Sequence, residues 1–261
     1  MVADETCSDI AMNSSERPIV LTIAGSDSSG GAGLQADLRM FEMLGVRSRT
    51  AVTAITAQTD RQVVSVEPVS PAIVTAQIDA AVAAGRPAAT KVGMLATADI
   101  VEAVATAIAR HHLTNVVLDP VLAATSGGLL LEKDAVELLL SRLVPLVTLL
   151  TPNLEEATAL SGVTVTTIHD MLRAAHALRD RGAQAVLVKG GHLSGPAIDI
   201  FDDGQIVEEI VAPRVAGASV RGTGCMLSAA IAARLAHGDA LADAVRRAKE
   251  VVTSAIAILA C

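Results

Sequence analysis

Short apolar segments alternate with longer segments of helical periodicity along most of the chain. Residues 18–24 form an apolar run that ends at Gly25, and in the next segment, up to residue 44, Leu34, Leu38 and Phe41 recur at helical spacing. The short segments are nearly all apolar, which is typical of parallel strands that helices cover on both faces. The pattern therefore predicts an α/β fold with a mostly parallel central sheet.

The remaining elements follow the same alternation. We expect further strands over residues 50–57, 63–66, 91–95, 116–119, 147–150 and 185–189, and helices over residues 71–84, 98–111, 133–142, 168–181, 225–236 and 240–259. Residues 197–201 and 206–211 flank Asp202-Asp203-Gly204 and predict a β-hairpin. Asn153, followed three positions later by Glu156, predicts a capping box at the start of one more helix.

Composition limits the class of protein. The chain has 261 residues, of which 51% are hydrophobic, so it can bury a large core, and without a repeat or a low-complexity linker we expect one domain over residues 18–261. Aromatic residues make up only 1%, which excludes the stacking platforms of single-stranded nucleic-acid binders. The formal net charge of −8 leaves no basic surface for a polyanion. We therefore expect no nucleic-acid partner, and a phosphate-bearing ligand has to be bound by local groups.

The cysteines and the first residues indicate where the protein works. Cys7, Cys225 and Cys261 are odd in number and widely spaced, which favours a reducing, cytoplasmic compartment over a disulfide framework or a zinc site. Residues 1–17 carry acidic residues and no apolar stretch, so they predict a disordered tail and not a signal peptide. No apolar run approaches the length of about 18 residues that a membrane helix needs, and we expect no membrane partner.

Residues 221–225, Arg-Gly-Thr-Gly-Cys, directly precede a helix of small residues. Two glycines at this place let the backbone turn so that the unpaired amides of the first helical turn point at one spot, where the helix dipole also favours an anion. The alternative is an ordinary loop in which Cys225 is a small buried residue. The motif alone leaves both interpretations open.

Several candidate side chains fall at or just beyond the ends of expected strands, where open parallel sheets bind ligands. They are Gln58, Met94, Asp119, Asn153 and Lys189. The loop over residues 25–33 is rich in glycine but fits neither the phosphate-binding loop of nucleotide hydrolases nor the dinucleotide-binding pattern. The sequence thus predicts an active site at one edge of the sheet that uses neither of these two nucleotide-binding loops.

The chain resembles the ribokinase-like superfamily and, within it, the hydroxymethylpyrimidine/phosphomethylpyrimidine kinases of thiamin biosynthesis. The resemblance runs from about residue 18 to residue 235 and is carried by motifs in the family's order. These are residues 24–37 (AGSDSSGGAGLQAD), 53–58 (TAITAQ), 91–95 (KVGML), 119–121 (DPV) with 126–127 (SG), 150–156 (LTPNLEE), 188–192 (VKGGH) and 222–225 (GTGC). The resemblance implies a ribokinase-like three-layer fold with a small β-hairpin or lid.

The family also implies ATP and Mg²⁺ as co-substrates, a homodimer, and two successive phosphorylations. The first converts 4-amino-5-hydroxymethyl-2-methylpyrimidine to its monophosphate, and the second converts this to the diphosphate. By motif position the pyrimidine pocket is implied to consist of Gly25, Asp37, Gln58, Met94 and Val121. The residues alone favour another interpretation, a surface acid on a helix for Asp37 and a solvent contact at a strand end for Gln58, because single polar residues are usually only solvated.

The resemblance also implies the residues that handle phosphate. Asn153 and Glu156 match an element that helps to hold Mg²⁺ and phosphate through water, although the capping box alone explains them as well. Lys189 is implied to reach the ATP phosphates, the alternative being a lysine that only extends its charge to solvent from a strand end. Asp119 is implied to lie near the metal ion, and His192 near the nucleotide without a chemical role.

The anion motif is implied to be catalytic. Gly222, Thr223, Gly224 and Cys225, with Lys189, would stabilise the charge of the transferring phosphoryl group, and Thr223 would contact the nucleotide. Sugar kinases of this superfamily usually have an aspartate base where this chain has Cys225. Because a helix N-terminus lowers a thiol pKa, we expect Cys225 to accept the hydroxyl proton. The second acceptor is already a phosphate anion and needs no base, so a thiol in place of a carboxylate would suit both steps.

The chain departs from the family pattern in three places. Thr59 and Asp60 follow Gln58 where Asn-Thr is usual, and Thr125 and Gly128 replace the Lys and Asp that flank the lid's Ser-Gly. The usual glycine-rich tail is missing after Cys261, which favours a shortened chain.

Two other functions stay open. A pyridoxal or pyridoxine kinase has a similar substrate, but some such kinases carry a second lid cysteine near the position of Ala124. A non-catalytic pyrimidine-binding module would have no use for Lys189, Asn153, Glu156 and the anion motif together. If the kinase interpretation is right, Gly25, Asp37, Gln58, Asp119, Lys189 and Cys225 should meet around one cleft.

Overall fold

The computed structural model describes residues 17–123, 128, 130–132, 134–191, 195–215 and 221–259. Residues 1–16 of the predicted tail lie outside this part of the chain, as do Ala124, Thr125 and His192.

Within the described residues, nine strands form one sheet in the order β3-β2-β1-β4-β5-β6-β7-β8-β9. The strands are β1 (Ile19–Asp27), β2 (Arg47–Gln58), β3 (Val63–Pro68), β4 (Ala89–Val92), β5 (Val116–Leu118), β6 (Leu149–Leu150), β7 (Val186–Lys189), β8 (Ala197–Asp202) and β9 (Val207–Ala212). Pairing is parallel from β2 through β1, β4, β5 and β6 to β7, whereas β3, β8 and β9 add to the two edges in antiparallel fashion.

Helices cover both faces of this sheet. They are α1 (Gly33–Met43), α2 (Pro71–Ala83), α3 (Ala98–His111), α4 (Ala135–Leu138), α5 (Leu154–Ser161), α6 (Ile168–Asp180), α7 (Thr223–Ala236) and α8 (Leu241–Leu259). The core on one face contains side chains of α2 to α6, and the core on the other contains those of α1, α7 and α8. The expected three-layer α/β architecture, with a β8–β9 hairpin, is therefore confirmed.

The strand sequences explain why both faces are covered. In β5 the side chains of Val116 and Leu118 enter one core while that of Val117 enters the other, and all three are fully buried. A strand of this kind has no polar side to turn to water, because alternate residues point to opposite faces. Burial on both faces thus follows directly from the apolar runs in the sequence.

One predicted helix differs from the structure. Of the helix expected over residues 133–142, only Ala135–Leu138 is α-helical, and the chain continues as a π-helix over Leu139–Leu143 and a 3-10 turn over Val144–Leu146. Pro145 has no amide hydrogen with which to continue an α-helical ladder, so the hydrogen-bond pattern has to change before it.

The fold places loops from neighbouring strands at one edge. The chain passes from β1 to β2 on one side and later adds β4 on the other side of β1. Such a change in strand order leaves a crevice at the carboxyl ends of the strands, where α/β proteins bind ligands. The motifs that follow β1, β4 and β5 open into this crevice.

Candidate active site

A cavity of about 500 Å³ lies at this edge of the sheet. All but one of the residues expected at the site line it: Gly25, Gln58, Met94, Asp119, Val121, Asn153, Glu156, Lys189, Gly222, Thr223, Gly224 and Cys225. The structure therefore brings together side chains from loops that are far apart in the sequence.

The anion motif forms the start of α7. Gly222 precedes the helix with φ +72°, and a Cβ on it would lie 2.2 Å from the carbonyl oxygen of Gly31. A Cβ on Gly224 would lie 3.1 Å from the Nζ of Lys189. Gly222 is thus required by its positive φ and by close packing, and the start of α7 lines the cavity beside an ammonium group.

Lys189 and Asp119 form an ion pair in the cavity wall. The Lys189 Nζ lies 2.7 Å from the Asp119 Oδ1, and both side chains are largely buried. Burial opposes ionisation of Asp119, but the ammonium groups of Lys189 and Lys91 outweigh it and hold the pKa of Asp119 below its usual value. The pKa of Lys189 is raised, because the carboxylates of Asp119 and Glu156 outweigh its own burial. Both groups are therefore charged at neutral pH.

Asn153 and Glu156 form the predicted capping box at the start of α5. The backbone amide of Asn153 donates to Glu156 Oε2 at 2.8 Å, and the amide of Glu156 donates to Asn153 Oδ1 at 2.9 Å. Glu156 is also buried, and this burial, with help from the charge of Asp119, raises its pKa to about 7 against the opposing effect of Lys189. The capping geometry and a position on the cavity wall coexist in the same two residues.

Cys225 corrects one expectation. Its thiol faces the cavity and is part-buried, with Asp119 as a hydrogen-bond acceptor and the amide of Gly33 as a donor. The helix terminus does not lower the thiol pKa as the sequence predicted: burial raises it to about 11, the carboxylates of Asp119 and Asp37 add to this, and Lys91 opposes it. The thiol is therefore neutral at physiological pH.

Asp37 corrects a second expectation, because it does not line the cavity. It is completely buried beneath it, where Oδ2 lies 2.9 Å from the Nζ of Lys91 and accepts a hydrogen bond from the Thr22 hydroxyl at 2.6 Å. Among the described residues, the other oxygen, Oδ1, has no hydrogen-bond partner. Burial raises the pKa of Asp37, although Lys91 partly offsets this. Asp37 thus holds Lys91, which lines the cavity, in place of the expected direct contact with a ligand.

The other side of the cavity is less polar. Met94 and Val121 line it and belong, with Leu130, to a small apolar cluster. Gln58 lies beside them at the end of β2, with its backbone amide and carbonyl bound to the Ser28 hydroxyl at 2.8 and 2.9 Å. An apolar wall with one fixed amide side chain suits a small heteroaromatic ring.

The phosphomethylpyrimidine kinase family model matches residues 27–260 of the chain. A hydroxymethylpyrimidine/phosphomethylpyrimidine kinase of Rhizobium meliloti is 47% identical over 240 residues, which cover 91% of this chain and 90% of the relative. The chain belongs to the phosphomethylpyrimidine kinase family. Members of this family are phosphotransferases, so this kinase is an enzyme, and its ribokinase-like fold agrees with the resemblance seen in the sequence.

Two solved structures are similar to this kinase over most of its length. A phosphomethylpyrimidine kinase from Clostridium difficile 630 superposes with a TM-score of 0.82 at 37% identity, covering 92% of this chain and all of that one. An ADP complex of Bacillus subtilis pyridoxal kinase superposes with a TM-score of 0.85 at 38% identity, covering 92% of each chain. The same architecture is thus shared by kinases of both kinds of ring.

Sequence reasoning missed several cations that line the cavity, among them Lys91 and Arg221. Lys91 was read only as part of a strand-end motif, although a lysine inside an apolar strand signals a buried partner, here Asp37. Arg221 was read as part of the anion motif without a role of its own, yet it lines the cavity. Its contacts include Thr59 and Asp60, the residues at which this kinase departs from the family pattern.

The donor set fits a metal ion that arrives with a nucleotide. In the part of the chain that the structure describes, no three His, Cys, Asp or Glu side chains form a metal-binding group. Asp119 and Glu156 nevertheless line one cavity. Since Mg²⁺ is commonly bound by one or two carboxylates together with waters and substrate phosphates, these two residues fit Mg²⁺ brought by ATP.

None of the described helices has the length and apolar character needed to cross a membrane.

We expect Glu156→Gln to stabilise the kinase increasingly as the pH rises. The pKa of Glu156 is 4.5 for the free side chain and about 7 in the folded protein, so folding stability falls as the pH rises through this interval. Glutamine keeps the capping hydrogen bond and has no charge to bury. Between pH 5 and pH 8 the variant should gain on the order of 2 kcal/mol relative to the parent, measured by urea unfolding. Glu155→Gln, at an exposed neighbour, is the control, and parallel pH curves for parent and Glu156→Gln would contradict the raised pKa.

Proposed function

We propose that this kinase transfers the terminal phosphoryl group of ATP to the hydroxymethyl group of 4-amino-5-hydroxymethyl-2-methylpyrimidine and then to the resulting monophosphate. The observation that carries the proposal is that one cavity joins an anion-binding helix terminus and the Lys189–Asp119 pair to an apolar wall with Gln58. The names of the relatives in this family support the same pair of substrates.

The ring would lie against Met94 and Val121, with the amide of Gln58 able to donate to a ring nitrogen and accept from the amino group. Met94 is held from behind, since the Thr53 hydroxyl donates to the Met94 carbonyl at 2.6 Å. A pre-formed wall costs little ordering on binding. The hydroxymethyl group would then point toward Cys225 and the start of α7.

Phosphoryl transfer mainly requires positioning and stabilisation of charge. The amides of Gly222, Thr223 and Gly224 and the ammonium of Lys189, which line the same cavity, would stabilise the negative charge that the transferring group gains. Asn153, Glu156 and Asp119 would hold the water shell of the Mg²⁺ that ATP carries, and the ion would neutralise phosphate charge. Asp119 also fixes the position of Lys189 through their 2.7 Å ion pair.

A neutral Cys225 suits both acceptors. A thiol that is protonated at neutral pH does not repel the dianion of a phosphate monoester, as a carboxylate at the same place would. In the first step the hydroxyl proton would leave late and pass to an oxygen of the transferred phosphoryl group, because the loose transition state of phosphoryl transfer demands little nucleophile activation. The thiol therefore serves as a neutral wall of the acceptor site and not as the base that the sequence predicted.

The assembly and location of the kinase stay predictions. We propose a homodimer, with support from the exposed apolar side chains of Ile55 and Val64 on β2 and β3. A cytoplasmic location rests only on the cysteine pattern in the sequence. Sedimentation of the purified chain tests the dimer.

The proposed substrate is tested by ADP release with three alternatives: the hydroxymethylpyrimidine, pyridoxal, and no acceptor. Pyridoxal is included because of the similar pyridoxal kinase structure. We expect kcat/KM for the pyrimidine to exceed that for pyridoxal at least tenfold. A preference for pyridoxal would contradict the proposed substrate, and ADP release equal to that without acceptor would contradict a kinase acting on either ring.

A further inference from the structure

Arg221 connects three segments at the mouth of the cavity. Its Nη1 donates to the carbonyl of Thr59 at 2.9 Å, to the Ser29 hydroxyl at 3.2 Å and to the Asp60 carboxylate at 3.3 Å. It belongs to the anion motif at the start of α7, and its side chain is only 18% exposed. The guanidinium is therefore fixed between the loop after β1, the turn between β2 and β3, and the anion site.

Asp27 holds this arrangement from below. Its carboxylate is almost completely buried and lies 3.7 Å from the Arg221 Nη2. The same carboxylate accepts hydrogen bonds from the backbone amides of Ser29 and Ala32, each at 2.9 Å. These bonds already use both carboxylate oxygens of Asp27. The longer contact between Asp27 and Arg221 therefore orients the guanidinium and leaves N–H donors of Arg221 available for other partners.

Other cations of the cavity lie on different sides. Lys189 is paired with Asp119, and Lys249 on α8 is paired with Asp199 on β8. Lys91 is paired with the buried Asp37, and Arg214 is bound to the carbonyls of Gly191 and Gly195. Of the basic side chains that line the described part of the cavity, Arg221 is the one bound to the turn that follows Gln58. It thus lies on the side of the anion site where the acceptor ring is placed.

The two acceptors of the proposed reaction differ on this side. The hydroxymethylpyrimidine is neutral there, whereas the monophosphate brings a phosphate that is largely dianionic above its second pKa of about 6. Such a phosphate must lie close to the start of α7 to receive a second phosphoryl group. A planar guanidinium beside that position is suited to bind two phosphate oxygens at once.

We propose that Arg221 is a specificity-determining residue for the second transfer and binds the phosphate of the monophosphate acceptor. The inference rests on the proposed function. Without a phosphate the guanidinium is held by Thr59 and by Asp60, whose side chain is 86% exposed. The acceptor phosphate takes the place of the exposed Asp60 carboxylate, while Asp27 keeps the guanidinium in orientation.

The test is calorimetric titration of each acceptor into the parent and four variants without ATP, so that binding is measured apart from turnover. In Arg221→Gln the affinity for the monophosphate should fall at least about twentyfold, against no more than about threefold for the neutral pyrimidine. Arg221→Lys keeps the positive charge but loses the planar guanidinium that can bind two phosphate oxygens at once. Its affinity for the monophosphate should lie between those of the parent and Arg221→Gln. Asp60→Asn should bind the monophosphate about two to five times more tightly, because a competing carboxylate is removed.

Arg61→Gln is the matched control, since Arg61 is exposed on the same turn and does not line the cavity. It should change neither affinity more than twofold. Equal losses for both acceptors in Arg221→Gln and Arg221→Lys would overturn the inference by showing a structural role, and so would an unchanged monophosphate affinity. A parent protein that binds neither acceptor and transfers phosphate to neither would instead overturn the proposed function. Thermal melting of each variant checks that the fold is kept, and Arg221→Lys decides the result if Arg221→Gln melts early.

Discussion

Replacing Lys189 with alanine is expected to lower kcat on the order of a thousandfold while the affinity for the pyrimidine changes less than about threefold. The ammonium lies beside Gly224 at the start of α7 and on the opposite side of the anion site from Gln58. In the proposed mechanism it therefore stabilises charge on the transferring phosphoryl group and does not contact the ring. A thousandfold loss corresponds to about 4 kcal/mol of transition-state stabilisation, within the range for a preorganised cation in a site of this kind.

This variant also leaves the buried carboxylate of Asp119 without its 2.7 Å partner, which by itself destabilises the fold. The double variant Lys189→Met with Asp119→Asn removes both charges and is the control for that effect. Its melting temperature should approach that of the parent while its turnover stays lost. Single-turnover kinetics and calorimetric titration of the pyrimidine provide the two readouts. A loss of ring affinity as large as the loss of kcat would contradict the assignment of Lys189 to the phosphates.

Replacing Cys225 with aspartate is expected to abolish the second transfer selectively. A carboxylate about 4 Å from a monoester phosphate costs several kcal/mol at an effective dielectric constant near 20, enough for a loss of at least a hundredfold. The neutral hydroxymethyl acceptor does not meet this repulsion, so the first transfer should fall much less. The selectivity should increase from pH 6 to pH 8, because the acceptor phosphate ionises further over this range.

The Cys225→Ser variant distinguishes between two roles of Cys225, a neutral thiol and a thiolate base. With a thiol pKa of about 11, serine replaces one neutral group by another, and the ratio of the two rates should stay within about threefold of the parent. A thiolate base would instead predict that serine loses the first transfer alone. Rates are measured separately from the hydroxymethylpyrimidine and from its monophosphate. Equal losses of both steps in Cys225→Asp would show that the residue is structural.

The fold could be predicted from the sequence wherever one local rule decided the structure. The helix expected over residues 98–111 is observed as Ala98–His111, because a threonine cap, an apolar stripe and basic residues at its end all agree. The capping box of Asn153 and Glu156 was visible for the same reason. In contrast, the antiparallel edge position of β3 depends on its pairing with β2, which no local pattern specifies. The π-helical turn before Pro145 was not predicted either, because a proline indicates where an α-helix stops but not which hydrogen-bond pattern replaces it.

Most of the residues that line the candidate site could be predicted from the sequence, but the charges and pKa values within the site could not. Strand-end positions and motifs identified the residues that line the cavity, since the carboxyl ends of parallel strands meet at one edge. The depth of Asp37 and the raised pKa of Cys225 could not be foreseen, because both depend on burial and on charges from distant segments. The Arg221 contacts with Asp27 and Asp60 join residues more than 150 positions apart, and only the fold shows that they meet.

The most direct test of the central claim is a phosphorus NMR time course of the purified kinase with MgATP and 4-amino-5-hydroxymethyl-2-methylpyrimidine. If one cavity serves both transfers, the monophosphate resonance should rise first and then give way to a diphosphate, with two ATP consumed for each pyrimidine. A monophosphate that accumulates without further reaction, or ATP that stays intact, would contradict the account.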